Sequence, residues 1–148
     1  MRILSTKLLL SILLLLSPSL FAEPTTAIDV QNAEVRQPLF GRSVTAGYLT
    51  LQNNSDQAVS LITVTSDAFQ RVELHQHSHK NGVMRMEQVN SITVAAASVV
   101  NFTPGGLHLM LFEPTTELAV GDTISLQLQF SNQQQLKIIV PVVALPKR

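Results

Sequence analysis

The sequence contains no cysteine and no tryptophan, and it has only one tyrosine among its 148 residues. The absence of cysteine excludes a disulfide framework, a thiol nucleophile, a thioredoxin-like redox motif, an iron–sulfur cluster and a blue-copper site. An excess of charge is also absent, because 10 Lys and Arg residues balance 10 Asp and Glu residues. The chain therefore lacks the net basic charge that is typical of nucleic-acid binding, and its length fits one domain.

The first 22 residues have the pattern of a secretory signal peptide. Two basic residues precede an apolar run at 8–16, and the small residue Ala22 ends the segment before Glu23. This run is shorter than the ~20 apolar residues that cross a bilayer, although an uncleaved membrane anchor is the alternative. Removal of the segment leaves 8 basic residues (10 − 2) against 10 acidic ones. We expect residues 23–148 to be one exported domain with no membrane span.

Short alternating segments fill the sequence after residue 23. Apolar and polar residues alternate with period two between turn signals, which predicts strands because successive strand side chains point to opposite faces. The predicted strands cover 28–35, 46–52, 59–65, 71–77, 83–89, 92–95, 99–102, 107–112, 123–130 and 136–143. About eight to ten short antiparallel strands, with no helical stripe, predict an all-β sandwich or barrel with Greek-key connections.

The side chains that bind soft metals are concentrated in one window of the sequence. All four histidines and three of the four methionines lie within residues 75–110. They fall into three groups with a spacing of two, so each group shares one face of its strand. The groups are His75, His77 and His79; Met84 and Met86; and His108 and Met110.

A predicted hairpin joins the first two groups. Asn81-Gly82 is the strongest short signal for a two-residue hairpin loop, because both residues accept positive φ. This loop pairs the flanking residues as Lys80–Val83, His79–Met84 and His77–Met86, with His75 diagonal to Met86. The register gathers three imidazoles and two thioethers on one face, and we expect the second strand at a sheet edge. A one-residue slip would reverse the faces.

The third group is expected to face away from the core. Leu107, Leu109 and Leu111 alternate with His108 and Met110, so the leucines take the core side. A methionine turned outward beside a histidine buries little apolar surface. Packing therefore does not explain its position.

Glu73 is a candidate to support the first histidine. Val72 and Leu74 take the core side of their strand, which leaves Glu73 and His75 together on the other face. Ligating imidazoles commonly donate their second N–H to a carboxylate. Glu73 is therefore a candidate partner for the second N–H of His75 if that histidine binds a metal.

Histidine and methionine without cysteine or clustered carboxylates favour a soft monovalent metal ion. Thioether sulfur selects Cu(I), imidazole is borderline, and Mg, Ca and Mn prefer oxygen ligands. Two neutral imidazoles and two neutral thioethers around one Cu(I) hold it without thiolate, which suits carriage and release. The alternatives are a solvated histidine face and methionines that fill gaps in an irregular core.

The residues of these groups resemble the motif of the periplasmic copper chaperones of the PCuAC family. That motif is a His, ten residues, a Met, twenty-one residues and then His-x-Met, and here it reads His75, Met86, His108 and Met110. The resemblance extends over most of the chain after the signal peptide. It implies a cupredoxin-like β-sandwich that binds one Cu(I) through these four residues.

The resemblance also implies a role and partners. It implies a periplasmic metallochaperone, not an enzyme, that carries copper toward the binuclear copper centre of cytochrome c oxidase. The implied partners are copper donor and acceptor proteins, namely oxidase subunit II or its assembly factors, and we expect a monomer. Copper homeostasis or tolerance, and a metal-free exported interaction module, are the alternatives. No Ser-His-Asp arrangement, carboxylate pair or cofactor loop that would favour an enzyme is visible.

His77, His79 and Met84 are additional candidates for metal binding. They share the predicted face of the implied Cu(I) ligands, and imidazole also suits Cu(II). We expect an accessory or capture position there, which holds Cu(II) or relays copper during exchange. A solvated pair of histidines is the alternative.

Overall fold

The computed structural model describes residues 27–146. The signal peptide predicted for residues 1–22 lies outside the described residues. Within 27–146 the chain forms ten β-strands and no helix, which confirms the all-β prediction. No helix that could cross a membrane occurs in this part of the chain.

The ten strands correspond one to one with the ten predicted segments, within about three residues at either end. They are β1 (Ile28–Arg36), β2 (Val44–Asn53), β3 (Val59–Thr65), β4 (Phe69–Lys80), β5 (Val83–Gln88), β6 (Ile92–Val94), β7 (Val99–Asn101), β8 (Leu107–Pro114), β9 (Thr123–Phe130) and β10 (Gln135–Val143).

The strands form two sheets that share a core. One sheet has the order β5-β4-β8-β2-β1, with β7 also paired to β2, and the other has the order β10-β9-β3-β6. A short parallel pairing of β1 with β10 joins the sheets, whereas the other named strands pair antiparallel. Neighbours such as β4 and β8 are distant in sequence, as in Greek-key folds.

The core lies between the two sheets and follows the period-two alternation. Alternate residues of β9 from Ile124 to Phe130 are buried, as are Leu109 and Leu111 of β8. Gly47 of β2 permits this close packing, because a Cβ at that position would lie 3.1 Å from Leu111 Cδ1. The core therefore fixes β2 and β8, and with them the outward face of the first sheet.

The β4–β5 hairpin extends beyond the core at the edge of the first sheet. Both residues of the Asn81-Gly82 loop have left-handed φ values, 54° and 75°. The pairing is the predicted one, with His77 opposite Met86 and His79 opposite Met84. β5 is the edge strand, as expected, and most of its side chains are exposed. The part of the hairpin near its loop therefore contributes little to the core, whereas Phe69 and Leu74 earlier in β4 are buried there.

Candidate metal centre

Three neighbouring strands place the candidate metal ligands on one face. In the pairing of β4 with β8, His75 lies opposite His108, and Met110 follows two residues later on β8. In the pairing of β4 with β5, Met86 lies opposite His77. Residues that are directly opposite or two apart share a face, so these side chains all lie on the outward face of the first sheet.

The three imidazoles form a compact group on this face. The ring centroids of His75 and His108 are 5.8 Å apart, and those of His77 and His108 are 5.1 Å apart. His108 is only 5% exposed, and the other two histidines are half-buried. The ring of His77 is therefore nearer to that of His108 than the ring of His75 is. The spacing of the motif nevertheless identifies His75, not His77, as the ligand.

A chain of charged side chains holds the His75 ring. With Nε2 protonated, His75 donates a hydrogen bond of 2.8 Å to Glu73 Oε2, and Glu73 Oε1 lies 2.8 Å from Arg71 Nε. The Arg71 Cζ lies 4.2 Å from the centroid of the Phe112 ring, a cation–π contact that limits its motion. This leaves Nδ1 of His75 as the ring nitrogen without a partner among the described residues, although His75 is not among the residues that line the neighbouring groove. Carboxylate–histidine pairs of this kind are typical of metal sites.

The His108 ring is held by the backbone just before its strand. His108 Nδ1 donates to the Gly106 carbonyl oxygen at 3.0 Å, which leaves Nε2 free to bind a metal. Burial lowers the pKa of His108 below its usual value; the Gly106 hydrogen bond partly opposes this, and His77 and His75 lower the pKa further. A neutral imidazole keeps the lone pair that a metal requires. His108 is therefore ready to bind at neutral pH.

Two ring nitrogens on this face, His75 Nδ1 and His77 Nδ1, are buried without a hydrogen-bond partner among residues 27–146. Buried polar atoms are normally hydrogen-bonded, so two orphaned nitrogens beside His108 fit a face that binds a ligand. Over the same residues, no group of three His, Cys, Asp or Glu side chains is placed to hold a metal ion. The same face also carries the thioether sulfurs of Met86 and Met110, and a donor set of imidazole and thioether fits Cu(I).

A groove of about 400 Å³ opens along this face beside the imidazoles. Its other walls are mostly apolar and include Leu39, Val44, Ala46, Tyr48, Pro104 and Leu145. His77, Met86, His108 and Met110 line the groove as well. Ala46 lies opposite Met110, and its small side chain leaves room beside that methionine. Apolar surroundings favour a monovalent ion with neutral ligands over a divalent one.

The candidate ligands differ in how far they are exposed. Met86 is 51% exposed on the edge strand, in contrast to the buried His108. The His79–Met84 pair lies further out, next to the hairpin loop, and Met84 is 62% exposed. His77 lies between this outer pair and the facing rings of His75 and His108.

Two supports of the site were absent from the sequence prediction. Arg71 pairs with Glu73, and the Gly106 carbonyl holds the His108 ring. Arg71 could have been found, because it lies two residues before Glu73 and so shares its face. The role of the Gly106 carbonyl could not have been found in this way, because every residue has a backbone carbonyl and the sequence does not show which one accepts a hydrogen bond.

Related sequences cover most of the chain. The profile of a family described as putative lipoprotein LpqE-like matches residues 28–142. A protein of Rickettsia prowazekii described as uncharacterized is 31% identical over 101 residues, which are 68% of this chain and 56% of that protein. A putative lipoprotein of Leifsonia xyli subsp. xyli is 30% identical over 116 residues, which are 78% of this chain and 69% of that protein. The chain thus spans little more than half the length of the Rickettsia protein.

Solved structures share the fold. The copper-bound PCuAC domain from PmoF2 has a TM-score of 0.69 at 25% identity, covering 81% of this chain and 95% of that domain. The Cu(I) form of DR1885 from Deinococcus radiodurans has a TM-score of 0.62 at 25% identity, covering 85% and 83%. The apo PCuAC domain from PmoF1 has a TM-score of 0.70 at 19% identity, covering 81% and 96%. These matches confirm the cupredoxin-like β-sandwich and the resemblance to PCuAC domains.

Proposed function

The chain belongs to the LpqE-like family and has the fold of PCuAC copper-binding domains, and on this basis we propose that it is a Cu(I)-binding metallochaperone. The proposed ligands are His75, Met86, His108 and Met110. The observation that carries the proposal is that His75 and His108 lie opposite each other, each with one ring nitrogen held by the protein and the other without a partner among residues 27–146. Two solved relatives of 25% identity are described as copper-bound or as the Cu(I) form.

The donor set favours Cu(I) over divalent ions. Two imidazoles and two thioethers are all neutral, so the bound ion keeps the single positive charge that an apolar groove destabilises least. The charge of Glu73 is balanced by Arg71 through their 2.8 Å contact, so Glu73 orients His75 without attracting a divalent ion. Without thiolate ligands we expect moderate affinity, which permits release to an acceptor.

The unequal exposure of the ligands supports carriage rather than permanent storage. His108 lies on β8, whose other face packs in the core, whereas Met86 lies on the exposed edge strand. Copper bound between His108 and Met86 would be held on one side by a buried, well-ordered ligand. On the other side, beside Met86, it would be accessible to solvent and to an acceptor protein. A ligand of the acceptor can therefore replace Met86 before the inner ligands release the ion.

We further propose that this function is exerted in the periplasm, after export by the segment 1–22. The acceptor is cytochrome c oxidase subunit II or one of its assembly factors, and the destination is the binuclear copper centre. The protein acts as a monomeric carrier and not as an enzyme. The support is the resemblance of the motif to periplasmic copper chaperones, and the family description as putative lipoproteins agrees with export.

Anaerobic titration with Cu(I), followed by native mass spectrometry and thermal unfolding, tests the binding site. We expect one tightly bound ion and a higher melting temperature, since a ligand that binds the native state stabilises it by mass action. His108→Ala and Met86→Leu should each weaken tight binding. Met84→Leu is the matched control, because Met84 lies two residues away on the same face of β5. An equal loss of the tight ion in the control would contradict the ligand assignment.

Transfer experiments test the role. The Cu(I)-loaded protein should metallate a purified copper-free domain of oxidase subunit II, and deletion of the protein should lower oxidase activity in copper-limited cells. A deletion phenotype confined to excess copper would favour homeostasis or tolerance instead. If Cu(I) changed neither the mass nor the melting temperature, the copper proposal would be wrong and a metal-free interaction module would replace it.

A further inference from the structure

The β4–β5 hairpin carries two histidine–methionine pairs in succession. His77 lies opposite Met86, and His79 lies opposite Met84, close to the hairpin loop. Directly opposite side chains in an antiparallel pair have Cβ atoms about 4.5–5.5 Å apart. An imidazole nitrogen and a thioether sulfur at this separation can hold one Cu(I) between them.

The exposure of these side chains increases away from the imidazole group. His77 is half-buried, Met86 is half exposed, and both members of the outer pair, His79 and Met84, are exposed. Burial of apolar surface therefore does not account for a methionine at position 84. The pairing instead continues the soft donors of the inner site out to solvent.

His77 connects the inner site with the outer pair. Its Nδ1 is buried and has no hydrogen-bond partner within residues 27–146, and its ring centroid lies 5.1 Å from that of His108. It also lines the groove together with Met86. The four proposed ligands already complete a Cu(I) site, so His77 is a fifth donor beside it. A fifth donor within reach suits ligand exchange, in which one nitrogen joins the ion before another leaves.

We propose that the His79–Met84 pair is a second, outer Cu(I) position and that copper passes between it and the inner site through His77. This inference rests on the proposed function and adds the route by which the ion enters and leaves. Copper remains Cu(I) throughout, so no electron is transferred and each step replaces one neutral donor with another. The route explains why soft donors continue along the hairpin beyond the four residues of the motif.

The experiment compares His79→Ala/Met84→Leu with Ser78→Ala/Arg85→Leu. Ser78 lies opposite Arg85, next to the outer pair on both strands, so the control changes the same part of the hairpin on its other face. Cu(I) is supplied without oxygen to the full chain. Native mass spectrometry counts the bound ions, and absorbance records the rate of Cu(I) transfer to bathocuproine disulfonate.

We expect the wild type and the control to bind a second, weaker ion after the inner site is filled. The His79→Ala/Met84→Leu variant should keep the tight ion, lose the second ion and release copper about tenfold more slowly, because removal of an intermediate position raises the exchange barrier. Retention of both the second ion and the wild-type rate would overturn this inference and leave the proposed function intact. Absence of the tight ion from the wild type would overturn both.

A single substitution tests the connecting role of His77. His77→Ala should leave the tight ion and the outer pair in place, because His77 belongs to neither, and should slow release to a similar degree. Unchanged release from this variant, with both ions still bound, would exclude His77 from the route.

Discussion

His75 lies directly opposite His108 across β4 and β8, and the two rings are held at different nitrogens. Glu73 engages Nε2 of His75, and the Gly106 carbonyl engages Nδ1 of His108. The free atoms are therefore Nδ1 on one ring and Nε2 on the other. Both rings are oriented before a metal binds, which reduces the entropy lost on binding.

Glu73→Gln should weaken tight Cu(I) binding by roughly 10- to 100-fold, because His75 loses the charged acceptor that orients its ring. Competition with a Cu(I) chelator measures this change. Glu87→Gln is the matched control, since Glu87 pairs with Lys80 and lies on the face of β5 opposite to Met86. A loss of similar size in the control would show that total charge matters rather than the orientation of His75.

His75→Ala should weaken tight binding more than His77→Ala, although His77 lies closer to His108. Glu73 holds the His75 ring through Nε2, whereas no hydrogen bond from a side chain of the described residues holds the His77 ring. We expect a loss of about 100-fold or more for His75→Ala and less than about tenfold for His77→Ala. The reverse order in a chelator competition would make His77 the ligand.

Leu109→Ala and Met110→Leu should separate stability from binding on one strand. Leu109 is fully buried, so its truncation should lower the free energy of unfolding by about 2–5 kcal/mol. Met110→Leu conserves volume and should change it by less than about 1.5 kcal/mol, while removing a proposed sulfur ligand. Denaturant unfolding of the copper-free proteins and Cu(I) titration give the two quantities. Unimpaired Cu(I) affinity in Met110→Leu would remove Met110 from the site.

The Cu(II) position predicted from the sequence stays a prediction and has its own test. Cu(II) added to the Cu(I)-loaded protein should give an electron paramagnetic resonance spectrum with nitrogen coordination, because imidazole suits Cu(II). His77→Ala/His79→Ala should lose this spectrum. If the spectrum and the Cu(I) transfer rate are both unchanged in this variant, the two histidines are a solvated pair.

Local signals in the sequence were sufficient for the strands and for the hairpin register. Each strand has a core face and an outer face, so period-two alternation reports both its existence and its orientation. The Asn81-Gly82 loop sets the pairing of β4 with β5, because only residues that accept positive φ close a two-residue loop. The opposition of His77 and Met86 follows from that loop alone.

The position of His108 beside His75 could not be predicted from local signals. β4 and β8 are far apart in sequence, and their pairing depends on how the whole core packs. The groove likewise combines residues from opposite ends of the chain, such as Leu39 and Leu145. The orientation of the His77 ring toward His108 is a property of this assembled surface, and motif spacing contains no information about it.

The end of the hairpin that carries Met86 reaches past the packed interior of the sandwich, so this proposed ligand lies apart from the residues that form the core, unlike His108 and Met110 on β8. Substitutions near the Asn81-Gly82 loop can therefore retune metal preference at almost no penalty to folding. A scaffold arranged in this way lets natural variation or protein engineering diversify the cargo while the architecture stays constant.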